Sequence, residues 1–165
     1  MRHKKLVATG MVAAAATTAA ATATLSGSAD AVSGPVEFTL VAPNTQSRMF
    51  DVGAQGPSLG DRFIFSGPLE TRKGEERGRI DGQCVTTGTM GDDPEEVRRQ
   101  CVVTSTIGTE SGEQEIQTQG VGRVLAEDVL LSVTGGTLRF QNTRGQALFD
   151  YTRDDRVVIT FQLIP

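Results

Sequence analysis

Residues 101–119 read CVVTSTIGTESGEQEIQTQ, and this stretch decides the fold class. In its first half, Cys101, Val103, Ser105 and Ile107 alternate with Val102, Thr104 and Thr106. Successive side chains of a β-strand point to opposite faces, so a period of two predicts a strand. Gly108 and Gly112 interrupt the pattern before it resumes at Glu113, which predicts a turn between two strands.

The same alternation recurs along the rest of the chain. It is found in the runs 36–40, 62–65, 79–87, 129–133, 140–151 and 157–163. With the stretch above this makes about eight strands, which predicts an all-β sandwich or barrel. Gly78, Gly82 and Gly145 fall inside strand patterns and indicate the bulges or bends that a closing barrel needs.

The strand at residues 113–119 is unusual because both of its faces are polar. In a sandwich, one face of such a strand is expected to be apolar. A barrel with a partly polar lumen accommodates the strand, and so does an exposed sheet edge. The sequence leaves both interpretations open.

The first 31 residues predict a signal peptide. Arg2, Lys4 and Lys5 precede an apolar stretch from Leu6 to Leu25, and the following Ala29-Asp30-Ala31 fits a signal peptidase site. A membrane anchor is disfavoured because the stretch is mostly alanine and threonine and no basic cluster follows it. We therefore expect cleavage after Ala31, one mature domain over residues 32–165, and a secreted protein.

The charge of the chain limits its partners. The full sequence has a formal net charge of −4, and removal of the signal peptide takes away more basic than acidic residues. An acidic domain with scattered arginines lacks the electrostatic footprint of a nucleic-acid-binding protein and is repelled by anionic membranes. We expect neither nucleic acid nor, after cleavage, a membrane as a partner.

Cys84 and Cys101 are the only cysteines. Two thiols in an exported chain normally form a disulfide, which is the pairing we expect. A redox pair or a metal pair is the alternative, but zinc would need further ligands. The only histidine, His3, leaves with the signal peptide, so the mature chain has no Ser-His-Asp, Cys-His or histidine–metal site.

The acidic stretch 91–96 predicts a short helical turn, capped by Asp93 and with Glu95 and Arg99 as i,i+4 partners. A calcium loop is disfavoured because the alternating oxygen ligands of such loops are missing. We expect no metal and no cofactor.

Three motifs resemble the allene oxide cyclase-like and dirigent-like barrel family. The stretch 59–69 (LGDRFIFSGPL) is similar to its "GD-x-F-x-F … L" strand, and 78–84 (GRIDGQC) to its "G-R-x-x-G-x-C" strand. The stretch 133–145 (VTGGTLRFQNTRG) resembles "I-T-G-G-T-G-x-F/Y-x-x-A-R-G". Their order covers the chain from about Phe38 to its end. The resemblance implies an eight-stranded antiparallel up-and-down barrel with an apolar cavity open at one end.

Two positions depart from the family pattern. Leu138 stands where the family has the last glycine of its Gly-Gly-Thr-Gly turn. Ser66-Gly67-Pro68 stands where dirigent proteins often carry Asp-Asp-Pro, so an acidic group implicated in their cavity chemistry is missing. Dirigent activity therefore does not transfer directly.

Three residues are candidates for catalysis. Arg144 matches the family's "A-R-G" arginine, which the resemblance places toward the cavity, where it would orient a carboxylate or phenolate or stabilise negative charge. The alternative is a structural ion pair with Asp150 or a nearby acid. Asp61 is an acid or base if burial raises its pKa, or else the cap of the preceding turn. Tyr151, the only tyrosine, is a neutral proton donor if it points inward, or else a rim residue.

Four further residues are candidates for ligand binding. Arg79 and Asp81 share one strand face and form either a lumen pair or a surface ion pair. Phe63 and Phe65 are expected to line the barrel interior.

Three functions agree with these observations. The first is an isomerase or cyclase that holds a small apolar intermediate in its cavity, a form of catalysis that needs no histidine. The second is a non-catalytic carrier of a small hydrophobic molecule. The third is a structural or stress protein with a filled barrel. Plant relatives assemble as trimers, so a homo-oligomer (dimer or trimer) is a further expectation.

Overall fold

The computed structural model describes residues 34–53, 55–88, 96–110 and 112–164. Nine strands and the 3₁₀ turn between the seventh and eighth of them are the regular elements of this part of the chain, and Glu96, before the fifth strand, is also in 3₁₀ conformation. The strands are β1 (Val36–Pro43), β2 (Gln46–Phe50), β3 (Arg62–Glu70), β4 (Glu76–Gly88), β5 (Arg98–Thr109), β6 (Gly112–Arg123), β7 (Asp128–Gly136), β8 (Arg144–Asp150) and β9 (Arg156–Ile164). The 3₁₀ turn, Leu138–Phe140, lies between β7 and β8.

The strands close into an antiparallel barrel. From β3 to β9 each strand pairs with the next along the chain, and β9 pairs with β1 over its whole length. The ring closes where β1 meets β3, at Val41 and Glu70, while β2 continues the edge of β3. The result is a closed eight-stranded barrel with one extra strand, and it confirms the predicted fold class.

The alternating side chains of these strands fill the lumen. The buried apolar core consists of Leu40, Ala42, Leu69, Ile80, Val103, Ile107, Ile116, Leu131, Val133, Phe140, Ala147, Phe149, Ile159, Phe161 and Leu163. All but Phe140 come from strands, and within each strand they follow the period of two seen in the sequence.

Strand β6 lies between β5 and β7, so the interpretation of residues 113–119 as an exposed edge is wrong. Its polar residues Gln114 and Thr118 are 3% and 1% exposed and face the lumen beside Ile116. Gln114 donates a hydrogen bond to the hydroxyl of Thr109 at 3.0 Å. The barrel interior is therefore partly polar along this strand.

One end of the barrel is closed. The 3₁₀ turn places Phe140, 3% exposed, in the core beside the start of β6 and the end of β7. At this end the strands also approach one another closely. A Cβ added at Gly145 would overlap the carbonyl oxygen of Gln162, and one added at Gly78 would overlap that of Thr106.

Strand β5 corrects one local prediction. Arg99 lies in the strand that begins at Arg98, so it is not the last member of a helical turn. The rest of that turn, residues 91–95, and the predicted signal peptide, residues 1–31, lie outside the described residues. Within the described part of the chain, no helix has the length and apolar character needed to cross a membrane.

Candidate functional site

A cavity of about 280 Å³ occupies the other end of the barrel. It is lined by Phe63, Phe65, Cys84, Arg99, Cys101, Val103, Gly122, Arg123, Val124, Ala126, Val129, Leu131 and Tyr151. These residues come from the start of β3, β5 and β7, the ends of β4 and β6, and the segments that follow β6 and β8. The cavity is slightly smaller than the usual range of ligand pockets, about 300–1,000 Å³, and therefore suits a small molecule.

Aromatic and aliphatic side chains form most of the cavity wall. The rings of Phe63 and Phe65 lie 5.7 Å apart and are tilted by 35°. Phe65 lies over Gly82 on the neighbouring strand, where any added Cβ would overlap the ring. Val129 leans in the same way over Gly122, whose added Cβ would come within 2.8 Å of a valine methyl carbon. Glycine on the lumen face of β4 and β6 thus makes room for larger side chains from their neighbours.

The predicted disulfide is present and belongs to this wall. Cys84 and Cys101 are directly opposite each other on β4 and β5 and are bonded. Both sulfur-bearing side chains point to the lumen, since Cys84 is buried and both residues line the cavity. The bridge fixes the two strands that carry the centre of the site.

Arg99 places a positive charge in the cavity. Its guanidinium carbon lies 5.6 Å from the centroid of the Phe63 ring, a cation–π distance. Nη2 also contacts the sulfur of Met49 at 3.7 Å. Partial burial lowers the pKa of Arg99 by desolvation, an effect that the carboxylate of Asp61 partly offsets. Arginine nonetheless remains protonated at physiological pH because its ordinary pKa is so high.

Tyr151 lies at the cavity mouth, directly after β8, where it continues the inward alternation of Ala147 and Phe149. It is 46% exposed, yet desolvation still raises the pKa of its phenol above the ordinary value. A phenol with a raised pKa stays protonated at neutral pH and donates a hydrogen bond. The site thus has a neutral donor at the rim and, in the half-buried Arg99, a cation in the wall, while the exposed Arg123 adds a second positive charge to the lining.

Asp61 is 5% exposed, but its carboxylate is occupied by the loop before β3. It accepts hydrogen bonds from the backbone amide of Val52 at 2.9 Å and from the amide and hydroxyl of Ser58 at 2.8 and 2.9 Å. These bonds, led by those from the two backbone amides, lower the pKa of Asp61. This geometry is that of a turn cap, the alternative that the sequence left open.

Arg79 and Asp81 lie on the outer face of β4. The guanidinium donates two hydrogen bonds to the Asp81 carboxylate, at 2.7 and 2.8 Å, and one to the hydroxyl of Ser66 at 2.7 Å. The bonds to Arg79 lower the pKa of Asp81. The pair is solvent-exposed and does not line the cavity, so the structure places it as a surface ion pair.

Arg144 also points outward. It precedes Gly145 on β8, while the lumen side of this strand is occupied by Ala147 and Phe149. Its Nη1 donates to the backbone carbonyl of Thr143 at 3.0 Å, and the residue lies at the closed end of the barrel. Among the described residues it makes no ion pair with Asp150, which accepts hydrogen bonds from Thr152. Of the seven predicted site residues, only Phe63, Phe65 and Tyr151 therefore line the cavity.

The outer surface and the metal-binding side chains offer weaker candidates for a site. A depression of about 590 Å³ lies on the outside of β1, β8 and β9, and is open to solvent rather than enclosed by the barrel. Among the described residues, no group of three or more histidine, cysteine, aspartate or glutamate side chains is arranged to hold a metal ion. The barrel cavity is thus the best-formed site.

Comparison with known proteins agrees with this architecture. Neither a protein-family model nor a curated protein sequence matches the chain. Among solved structures, a pyocyanin demethylase superposes with a TM-score of 0.65 and 25% identity, over 78% of this chain and all of the demethylase. A pterocarpan synthase dirigent protein superposes with a TM-score of 0.56 and 15% identity, over 78% of this chain and 84% of the other.

A third structure is the Diels–Alderase AbmU from Streptomyces koyangensis, with a TM-score of 0.58 and 14% identity over 79% of this chain. The chain spans 65% of that protein's length. These neighbours include a dirigent protein and a cyclase, and they share the barrel fold of this chain. The barrel fold that the three sequence motifs implied is thereby confirmed.

The cavity has few reactive groups. The described lining contains no carboxylate, so chemistry in the cavity would rely on Arg99, Arg123, Tyr151, shape and exclusion of water. Arg99 was missed by sequence reasoning because it was assigned to a helical turn. The signal was nonetheless present, since Arg99, Cys101 and Val103 continue a single period-two series, which places Arg99 on the lumen face.

Proposed function

We propose that this protein binds a small, largely apolar molecule in the barrel cavity and acts on it as an isomerase or cyclase. The observation that carries the proposal is the cavity itself: one end of the barrel is packed, while the other encloses about 280 Å³ between Phe63, Phe65 and Leu131. A filled structural barrel would have no such space. The fold is also that of cyclases and dirigent proteins.

The catalysis proposed is that of positioning. A wall of rings and aliphatic side chains selects one conformation of a flexible intermediate and excludes water from it. Arg99 stabilises negative charge that develops on an oxygen during rearrangement, and Tyr151 donates a hydrogen bond or a proton at the mouth. No histidine, metal or nucleophilic cysteine takes part in this scheme.

A carrier function is the second candidate, and the absence of a carboxylate from the described cavity lining favours it. A carrier would bind the same class of molecule and release it unchanged. Under both functions we propose that the protein is exported. The disulfide supports this because such bonds persist in oxidising compartments.

The cavity is tested with a neutral aromatic probe, 4-fluorocinnamamide, titrated into the protein and followed by ¹⁹F NMR. We expect saturable binding to the wild type. Val129→Phe, at the cavity mouth, should weaken it by tenfold or more because the ring fills the space. Val102→Phe is the matched control, since Val102 lies on the outer face of β5 and is 42% exposed. Absence of binding to the wild type, or equal loss in both variants, would contradict the proposal.

The choice between catalysis and carriage depends on what the protein does to a bound molecule. Native mass spectrometry of gently purified protein, compared with the denatured protein, identifies any molecule that copurifies. Incubation of its immediate, less cyclised isomer with the protein then separates the two functions. A faster appearance of the cyclised isomer, of unchanged mass, supports the cyclase; recovery of the added isomer unchanged supports the carrier.

A further inference from the structure

Arg99 indicates the chemical class of the ligand, an inference that rests on the proposed function of the cavity. Arg99 is half-buried in a wall that is otherwise mostly apolar. Removing a guanidinium from water costs free energy unless charged or hydrogen-bonding partners compensate. The partners that the protein itself supplies therefore decide what the arginine is for.

Those partners are few. Among the described residues, Arg99 forms no salt bridge, and no acceptor lies within hydrogen-bond distance of its buried Nε–H. The thioether of Met49, 3.7 Å from Nη2, is a weak acceptor. Asp61 is the carboxylate whose charge raises the pKa of Arg99. It already accepts three hydrogen bonds from its own loop.

Thr86, the residue opposite Arg99 on β4, also has a buried polar atom without a hydrogen-bond partner. Thr86 is paired with Arg99 across the two strands and is 2% exposed. Its backbone amide donates to the carbonyl of Asp61, but its hydroxyl has no partner among the described residues. Two adjacent polar groups at this end of the barrel, the Thr86 hydroxyl and the Nε–H of a permanent cation, thus have no hydrogen-bond partner among the described residues.

The aromatic neighbour orients the cation. Phe63 lies beneath the guanidinium at 5.6 Å and beside Phe65 in the cavity wall. A cation–π contact uses none of the N–H donors of a guanidinium, so they stay available for planar anions such as carboxylates, which form paired hydrogen bonds with them. Arg79, on the outer face of β4, is an arginine whose donors have such a partner, because its Nε and Nη2 both donate hydrogen bonds to the Asp81 carboxylate.

We propose that Arg99 is the anion-recognition residue of the cavity, and that the ligand is a small apolar ring or chain carrying an anionic oxygen, as in a carboxylate, phenolate or enolate. The apolar part lies against Phe63, Phe65 and the disulfide. The anionic oxygen accepts hydrogen bonds from the edge of the guanidinium. Arg99 thus determines specificity in the same cavity that the proposed function requires.

The test compares two probes of nearly equal shape, 4-fluorocinnamate and the neutral 4-fluorocinnamamide, by ¹⁹F NMR titration at pH 7. We expect the carboxylate to bind the wild type about tenfold or more tightly, the size of one charge-assisted hydrogen bond. Arg99→Met should remove this preference, so that the two probes bind that variant with affinities within about twofold of each other. Arg98→Met is the matched control, because Arg98 is the exposed neighbour on the outer face of β5 and carries the same charge.

A structural role for Arg99 gives a different result. An arginine that mainly stabilises the fold would lower the melting temperature when replaced, whereas removal of an unpaired, desolvated cation should leave the melting temperature unchanged or raise it. If Arg99→Met does not fold, Arg99→Lys keeps the charge but loses the paired geometry. We then expect an intermediate preference for the carboxylate.

The outcomes separate the two proposals. Equal binding of both probes to the wild type, or an unchanged preference in Arg99→Met, overturns the role of Arg99 but leaves the cavity intact. Failure of both probes to bind the wild type overturns the cavity proposal, and the role of Arg99 with it. Loss of the preference in Arg98→Met as well as in Arg99→Met shows a general charge effect and overturns recognition by Arg99.

Discussion

The two ends of the barrel use glycine in opposite ways. At the closed end, Gly78 and Gly145 bring backbones together, and an added Cβ would overlap a carbonyl oxygen of the adjacent strand. At the open end, Gly82 and Gly122 make room for side chains, and an added Cβ would meet Phe65 or Val129 instead. Backbone cannot yield without breaking the sheet, whereas a side chain can turn. One end is therefore fixed by the fold, while the other is free to form a site.

The largest expected effect is a break in the closed end. Gly145 has a φ of +135°, a region that residues with a Cβ rarely adopt, and it abuts the backbone of β9. Gly145→Ala should therefore lower the free energy of unfolding by more than about 3 kcal/mol, because both strain and overlap oppose it.

Gly122→Ala is the comparison at the open end. Its new methyl group would meet the methyl carbons of Val129 at 2.8 and 2.9 Å, and we expect a loss of about 1 kcal/mol as that side chain shifts. Urea denaturation of the two variants and the wild type measures both values. Equal losses would contradict the distinction between the two ends.

The second effect concerns the disulfide that holds the open end. The double variant Cys84→Ala/Cys101→Ala removes a bridge between residues 17 positions apart, which should cost about 3 kcal/mol by loop-closure entropy. Ligand binding should weaken too, since both sulfurs line the cavity. Denaturation of the wild type in a reducing buffer provides the control. A stability unchanged by either treatment would show that the surrounding strands alone hold this wall.

The third effect is a gain in stability at the closed end. Leu138 occupies the position where the family has glycine, and its φ of +50° is in the left-handed region. Since a side chain there costs about 1–2 kcal/mol, and Leu138 is 49% exposed, Leu138→Gly should raise the free energy of unfolding by about 1 kcal/mol.

Leu125→Gly is a suitable control, because Leu125 is similarly exposed at 61% but is not among the residues with positive φ. That variant should not gain stability. A loss in Leu138→Gly would mean that contacts of the leucine outweigh its strain.

The sequence predicted the barrel well because a period of two records which face of each strand is buried. It also contains, in order, the three motifs that resemble those of allene oxide cyclase-like and dirigent-like barrels. The positions of Arg79, Asp81 and Arg144 were harder to predict, because a strand pattern does not say which polar residues face the lumen. Strand β6 shows the difficulty. Its polar residues Gln114 and Thr118 agreed equally well with an exposed sheet edge, but they are buried in the lumen.

Arg99 shows a second limit. A capped acidic segment before it predicted a helical turn, and local i,i+4 pairing took precedence over the longer strand pattern. The register of β5 with β4, which places Arg99 opposite Thr86 and Cys101 opposite Cys84, depends on pairing between distant segments. Sequence periodicity alone does not show which residues of two strands lie opposite each other. The register can be set only when the two cysteines are assumed to be bonded and are used to align the strands.

The smallest expected effect is electrostatic and belongs to the open end alone. Tyr151 is the only tyrosine and the chain has no tryptophan, so ultraviolet absorbance reports on this one phenol. Because desolvation raises its pKa, absorbance at 295 nm should titrate above the ordinary value of about 10, and should return to that value in urea. The folded protein then favours the neutral phenol more than the unfolded chain does. Tyr151 accordingly contributes stability below the unfolded pKa that is lost as the pH rises through the folded one.

Binding of 4-fluorocinnamate beside the phenol of Tyr151 should raise the pKa of the phenol further, since a second negative charge would lie nearby, whereas the amide should have less effect. An ordinary pKa that no ligand changes would place Tyr151 in solvent and outside the site.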